Sequence, residues 1–362
     1  MKETFFVVLA GGHGERLWPL SSYLRPKQFI PFINGISLLE QTTQRIQPLV
    51  KNKSHLMVVT NADQQDAVKK LLGKQASVLC EPAGRNTAPA ILLSCLEIVE
   101  KDNDAVIVVL PSDHFIPETE KFVSLLWASI AYASCYDQIV LLGVKPTHPA
   151  TGYGYIQYKA EQFVAGWSCF PVQKFHEKPD KERAQEYLSR QDMLWNVGIF
   201  VGKAKVFLDQ FAQWAPELWS AMEQYRKNEC GYDQLPSISI DHAIMEKSDK
   251  VVVFPAQFAW HDVGTLPAFL TLKAQYEKDA DTKVINVDAQ GNLACSTKKV
   301  VAFVGVDNLC VVETDDALLV VAQDRVESVR DVSSQIKKQT KKEKVDVVVQ
   351  NVEQEEITAS AV

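Results

Sequence analysis

Three glycines, Gly11, Gly12 and Gly14, follow the apolar run FFVVLA at 5 to 10, and two cations, Arg16 and Lys27, come within thirteen residues after them. Glycines directly after a strand let backbone N–H groups approach a phosphate chain closely, and the start of a following helix adds the positive end of its dipole. The pattern points to phosphate binding. It is not a Walker A loop, because no GKS or GKT follows, and Leu17 stands where the dinucleotide fingerprint GxGxxG needs its third glycine. A tight strand-to-helix turn that binds nothing would use the same glycines, and the two cations tip the balance toward a ligand. A second candidate is Asp113, just past the end of the run AVIVVL at 105 to 110, the edge where α/β sheets place ligands. A carboxylate there suits a hard cation such as magnesium, which takes one or two carboxylates from a protein and keeps water and phosphate oxygens for the rest; the competing use is as a cap or turn residue.

The elements that must hold these residues alternate through the first half. The runs FFVVLA, LMVVT, SVLCE, AVIVVL and QIVLLGV are separated by the helical patterns SLLEQTTQRI, QDAVKKLLG and NTAPAILLSCLEIVE. Continuous Val/Ile/Leu strands between helices predict an α/β fold with a mainly parallel central sheet. Ser37 with Glu40 has capping-box spacing, and Asn86 sits where an N-cap would precede TAPAILLSC. From about 150 to 275 the alternation loosens into short extended pieces, GYGYIQY, PVQKFHEKP, WNVGIFVG and FAWHDVGT, which read as a substrate-facing half of the same domain. Beyond about 280 come short β runs, KVINVD, NLACS, VVAFVGV, NLCVVET and ALLVVA, and then a helix-like DRVESVRDVSSQIKK. The expected organisation is a catalytic domain over 1–278, a small β-rich C-terminal domain ending in a helix over 279–340, and a mobile tail over 341–362. No repeat of fixed period is evident.

With 362 residues, 46% hydrophobic and 23% charged, the chain can bury one large core or two modest ones, which excludes a disordered protein. No apolar run approaches the roughly 18 residues of a membrane span, and the six before Gly11 are too few for the core of a secretory signal. Seven cysteines without a CxxC pair read as small core residues in a reducing compartment, so the expected location is cytoplasmic. A net charge of −7, from 38 basic and 45 acidic residues, speaks against nucleic acid as the main partner. An anionic ligand needs local positive charge. In the first 27 residues Lys2, Arg16, Arg25 and Lys27 outnumber Glu3 and Glu15.

GGHGERLWPL at 11 to 20, followed by PKQF at 26 to 29, resembles the signature of sugar-phosphate nucleotidyltransferases, and within them of the mannose-1-phosphate guanylyltransferases. EPAGRNTAPAI at 81 to 91, LPSDHFI at 110 to 116, GYGYI at 152 to 156, FHEKPD at 175 to 180, WNVGIF at 195 to 200 and WHDVGT at 260 to 265 follow in that family's order. Six ordered motifs are far more specific than one glycine loop, and the resemblance covers residues 4 to 340. It departs at His13, where many relatives carry a small residue, and at SSYLR before PKQF.

The resemblance implies a Rossmann-like (GT-A-like) catalytic domain. The implied activity is transfer of GMP from GTP to mannose 1-phosphate, assisted by Mg2+ and giving GDP-mannose and pyrophosphate. A phosphate monoester has a second pKa of about 6, so the nucleophile is already an anion and no strong general base is required. The harder task is to gather negative groups and stabilise the leaving pyrophosphate, which calls for a divalent metal with Arg and Lys. By resemblance Asp113 and Asp262 hold the metal, and Arg16 and Lys27 meet the triphosphate. The nucleotide is met by Leu9, Ala10, Gly11, Gly12, Gly14, Glu15, Glu81, Pro82, Asn86, Thr87 and Asp113. Glu81 is suited to accept from N1–H and the exocyclic amine of guanine, or else to pair with Arg85. The sugar phosphate falls to Gly152, Tyr153, Glu177, Lys178, Asn196 and Gly198, a carboxylate and an amide being good partners for vicinal hydroxyls. His114 and His261 beside the two Asp residues lack HxxxH or Cys/His spacing for zinc. Trp18, Trp195 and Trp260 inside the motifs suit stacking on a ligand or core packing.

Two other readings share these residues: a nucleotidyltransferase for another base or hexose, and an inactive regulatory subunit of the same fold. Retention of Asp113, Asp262, Arg16 and Lys27 speaks for activity. Long relatives append an isomerase domain, for which 362 residues leave no room, so a short single-activity form is expected. The β-rich end is a candidate surface for a homodimer.

Overall fold

The computed structural model describes residues 2–12, 14–22, 25–277, 282–296 and 299–336; His13 and the tail over 341–362 lie outside these. The chain forms two compact units, one made of residues 1–11 with 39–262, the other of 12–38 with the chain from Val263 onward.

The first unit is built on a nine-stranded sheet: β1 (Thr4–Leu9), β2 (Leu56–Asn61), β3 (Ser77–Glu81), β4 (Val106–Pro111), β5 (Ile139–Val144), β6 (Tyr155–Tyr158), β7 (Phe170–His176), β8 (Met193–Lys203) and β9 (Val251–Ala256), in the order β3-β2-β1-β4-β8-β5-β9-β7-β6. Every residue of β2 and of β5 is buried, as expected of strands covered on both faces. The parallel pairing expected from the first half holds for β3-β2-β1-β4 and for β5-β9. The sheet as a whole is mixed, because β8 runs antiparallel between β4 and β5 and also pairs with β6. This insertion follows from non-local pairing that strand periodicity does not encode.

The helices of this unit are α1 (Leu38–Ile46, whose first residue belongs to the other unit), α2 (Gln65–Leu72), α3 (Thr87–Val99), α4 (Thr119–Cys135), α5 (Lys181–Ser189), α6 (Ala204–Trp214) and α7 (Pro216–Arg226). Helix α3 is apolar almost all round and packs on α6 and α7, inside a core that joins Ile91, Leu92 and Cys95 to Val7, Ile107 and Phe207. Its N-cap is the expected Asn86, whose side chain accepts from Thr87 N at 2.8 Å. None of the described helices is long and apolar enough to cross a membrane, and all seven cysteines are free.

The second unit holds the glycine loop from Gly12 on, α8 (Leu266–Tyr276), and the short strands β10 (Val284–Val287), β11 (Leu293–Cys295), β12 (Val301–Val304), β13 (Leu309–Glu313) and β14 (Leu318–Ala322). Val284 pairs in parallel with Val301 and Leu293 with Cys310, so the strands coil with a rung of seventeen residues. This repeat is invisible in the sequence because only two rungs share it and backbone ladders, with Asn292 bonded to Leu309 N and Val306 O, set the register. The chain ends its described part in helical turns over 323–336.

Candidate active site

Residues of β2 and β4 pin the start of the glycine loop. Leu9 O accepts from Ser112 N (3.1 Å), Ala10 O from Thr60 Oγ1 (2.8 Å) and Gly11 O from Asn61 Nδ2 (2.8 Å). These three bonds satisfy the carbonyls at the head of the loop. Asn61 Oδ1 is buried without a hydrogen-bond partner and faces both Gly11 and Gly84, whose Cβ positions would lie 3.4 and 3.5 Å from it. Nothing in the motifs singles out Thr60 or Asn61; the signal is their position at the end of the strand next to β1.

Asp113 and Asp262, 149 positions apart in sequence, are brought to neighbouring backbone by an isolated antiparallel bridge between Phe115 and His261. Phe115 N donates to His261 O at 2.9 Å and His261 N to Phe115 O at 3.0 Å. Tyr153 Oη donates to Asp262 Oδ1 at 3.4 Å, and its ring packs edge-on against Trp260 and Trp195. Burial, then the Asp262 charge, pushes the Tyr153 phenol far above its ordinary value, so it stays a donor. Trp260 Nε1 donates to His114 Nδ1 at 3.1 Å, and burial lowers the His261 pKa. Among the described residues no cluster of three or more His, Cys, Asp or Glu is present.

Glu81 ends β3, next to Asn61 in the β2 register, and is buried. Its partner is Tyr232, whose hydroxyl donates to Oε1 at 2.7 Å; Arg85 Nε is buried with no hydrogen-bond partner, and among the described residues the two form no ion pair. Burial lifts the Glu81 pKa to about 7, against the pull of the Tyr232 bond. The native carboxyl therefore keeps a proton that the unfolded chain releases near pH 4.5. The associated stability is complete below that value and is lost as pH rises through about 7. Measured by denaturant titration, the wild type is expected to lose about 3 kcal/mol relative to Glu81→Gln across this window; a constant difference would show that the carboxyl is not held protonated. Of its motif neighbours, Pro82 is exposed, Asn86 is committed to the α3 cap, and Thr87 Oγ1 accepts from Ile240 N at 2.9 Å.

The expected sugar-side residues also lie in the first unit. Asn196 and Gly198 are on β8, where Gly198 at φ 70 turns its N–H back to Asn196 Oδ1 (3.0 Å). Asn196 Nδ2 donates to Asp241 Oδ1 at 3.2 Å. Glu177, its side chain 7% exposed, is ion-paired to Lys178, and its N–H donates to Glu246 at 3.4 Å. Gly152 is exposed with open space at its Cβ position. Asp241 belongs to none of the recognised motifs.

In the second unit, Gly14 adopts φ 66, its carbonyl accepts from Leu17 N (3.0 Å) and Ser21 Oγ (2.6 Å), and Lys27 is buried against it. Gly12 is exposed and Glu15 half-buried. Arg16 lies 3.5 Å from Glu327, an acidic partner beyond the reach of any local pattern.

Residues 6–279, which contain every expected site residue named above, match the family model Nucleotidyl transferase, and the fold is that of an enzyme of this class. Residues 282–336 match a MannoseP isomerase/GMP-like beta-helix domain. The Xanthan biosynthesis protein XanB of Xanthomonas campestris pv. campestris (strain B100) is 36% identical over 93% of this chain and 74% of its own length. A putative mannose-1-phosphate guanylyltransferase of Vibrio cholerae serotype O1 (strain ATCC 39315 / El Tor Inaba N16961) is 34% identical over 93% of this chain and 75% of its own length. Among solved structures, one described as mannose-1-phosphate geranyltransferase from Thermus thermophilus superposes with a TM-score of 0.82 at 34% identity, covering 92% of this chain and 99% of that one. The chain belongs to the nucleotidyl transferase family, in its mannose-1-phosphate guanylyltransferase branch.

Proposed function

We propose that this enzyme transfers GMP from GTP to mannose 1-phosphate, releasing pyrophosphate and forming GDP-mannose. The observation that carries the reading is the Phe115–His261 backbone bridge, which joins the segments carrying Asp113 and Asp262, in the same unit as Glu177 and the Asn196 amide. Two oxygen-donor carboxylates with no third acidic or imidazole ligand among the described residues fit a hard cation that fills its remaining positions with water and phosphate oxygens, so Asp113 and Asp262 would hold Mg2+. When bound, the ion supplies Lewis-acid stabilisation of charge on the phosphates. Lys178 meets the phosphate of the sugar, while Glu177 and Asn196 bind its hydroxyls and orient the attacking oxygen toward the α-phosphorus. Arg16 and Lys27 take the triphosphate and the departing pyrophosphate, with Gly11, Gly12 and Gly14 offering backbone N–H groups. Attack needs no proton acceptor, because the phosphate oxygen is already anionic.

Glu81 is assigned to guanine. A carboxyl poised near pH 7 by burial is drawn to its anionic form by a base that offers two N–H donors and is not rewarded by one that offers fewer. Pyrophosphate release, followed with each nucleoside triphosphate, Mg2+ and a panel of sugar 1-phosphates, is expected to be fastest for GTP with mannose 1-phosphate. A rate no better than background for that pair would refute the assignment.

A further inference from the structure

The segment from Ile238 to Glu246 touches two of the motif groups without belonging to either. On one side, Ile238 O accepts from Ala88 N (3.1 Å) and Ile240 N donates to Thr87 Oγ1 (2.9 Å), at the head of α3. On the other, Asp241 accepts from Asn196 and Glu246 accepts from the Glu177 N–H, while Glu246 is itself held by His242 Nδ1 at 2.9 Å. Asp241 opens a π-helical turn, Asp241–Met245, a rare form of helix that recurs at functional sites. Burial, and after it the Glu177 charge, lifts the Asp241 pKa to about 7.

The geometry explains what the carboxyl does. Asn196 Oδ1 is engaged by Gly198 N and one Nδ2 hydrogen by Asp241, which fixes the orientation of the amide and directs its second Nδ2 hydrogen and remaining lone pair elsewhere. An Asn held at one end only could rotate or flip. We propose that Asp241 is the positioning residue of the sugar-phosphate site, locking the Asn196 amide in the orientation that hydrogen-bonds a sugar hydroxyl. This rests on the reading of Asn196 and Glu177 as sugar-binding.

The test separates substrates. Loss of one partner of a buried hydrogen bond predicts that Asp241→Ala raises KM for mannose 1-phosphate about tenfold while KM for GTP stays within about twofold. Asp241→Asn keeps an acceptor oxygen at the same place and should stay within about twofold of wild type for both substrates, a rescue that a need for the charge would not give. Should Asp241→Ala fail to fold, Asp241→Ser, too short to reach Asn196, carries the same expectation. An active wild type whose Asp241→Ala or Asp241→Ser variant raises both KM values alike or neither, or whose Asp241→Asn is as impaired as Asp241→Ala, overturns the proposal alone. A wild type that turns over no sugar 1-phosphate overturns the underlying reading, and the proposal with it.

Discussion

Asp113→Asn and Asp262→Asn are each expected to lower kcat by at least about a hundredfold, the scale of losing one centre of electrostatic stabilisation, with little change in melting temperature. The structure explains why the two effects separate. Both residues are only half-buried, and what draws their strands together is a backbone-to-backbone bridge between Phe115 and His261 that either substitution leaves in place. The amide that Asp262→Asn introduces would still present an oxygen to the Tyr153 hydroxyl, which now donates to Asp262 Oδ1. A readout independent of turnover is Mn2+ binding, which should weaken in each variant. Two carboxylates that hold one ion act as a unit, so on the proposed role the double variant should be scarcely slower than the worse single one. Wild-type activity in either variant would remove that residue from the metal site.

What could be read from the residues depended on how far apart their partners lie. The Asn86 cap is local, and the structure has the expected bond to Thr87 N. The strand runs and the α/β class were legible because burial on both faces writes itself as continuous Val, Ile and Leu, as in β2 and β5. The joint role expected of Asp113 and Asp262 came only from motif resemblance, since two residues 149 positions apart share no period. Residues that serve through others stayed hidden: Tyr232 reaches Glu81 across 151 positions, Asn61 reaches Gly11 across 50, and Asp241 reaches Asn196 across 45. None sits in a pattern of its own, because one hydrogen bond between remote elements requires a residue type at a point and nothing around it. The same reasoning covers β8, whose antiparallel course between β4 and β5 is decided by long-range packing. It covers Arg16 as well, whose neighbour Glu327 is 311 positions away.

Gly14→Ala is the second substitution with a large expected effect, and it separates two uses of glycine in one loop. Gly14 has φ 66, a conformation that costs an L residue about 1 kcal/mol, and a Cβ there would lie 2.3 Å from Lys27 Cβ and 3.1 Å from Lys27 N. The opposing atoms belong to the backbone and first carbon of a buried residue, so neither can swing aside. The loop or Lys27 must move. The bonds from Leu17 N and Ser21 Oγ to Gly14 O hold the loop, which leaves Lys27 to absorb much of the shift. On the role proposed for Lys27, an ångström of misplacement of its charge should cost about a hundredfold in kcat/KM, and the added strain should also lower the melting temperature by several degrees. Gly12 differs, since a Cβ there meets nothing within 4 Å among the described residues and its φ is not left-handed. Gly12→Ala should therefore melt like the wild type, and any loss of activity should take the form of a raised KM for GTP, because the one thing the new methyl obstructs is the approach of the phosphates to the backbone. A Gly14→Ala enzyme with wild-type kcat/KM would mean that the packing of Gly14 against Lys27 has no part in catalysis.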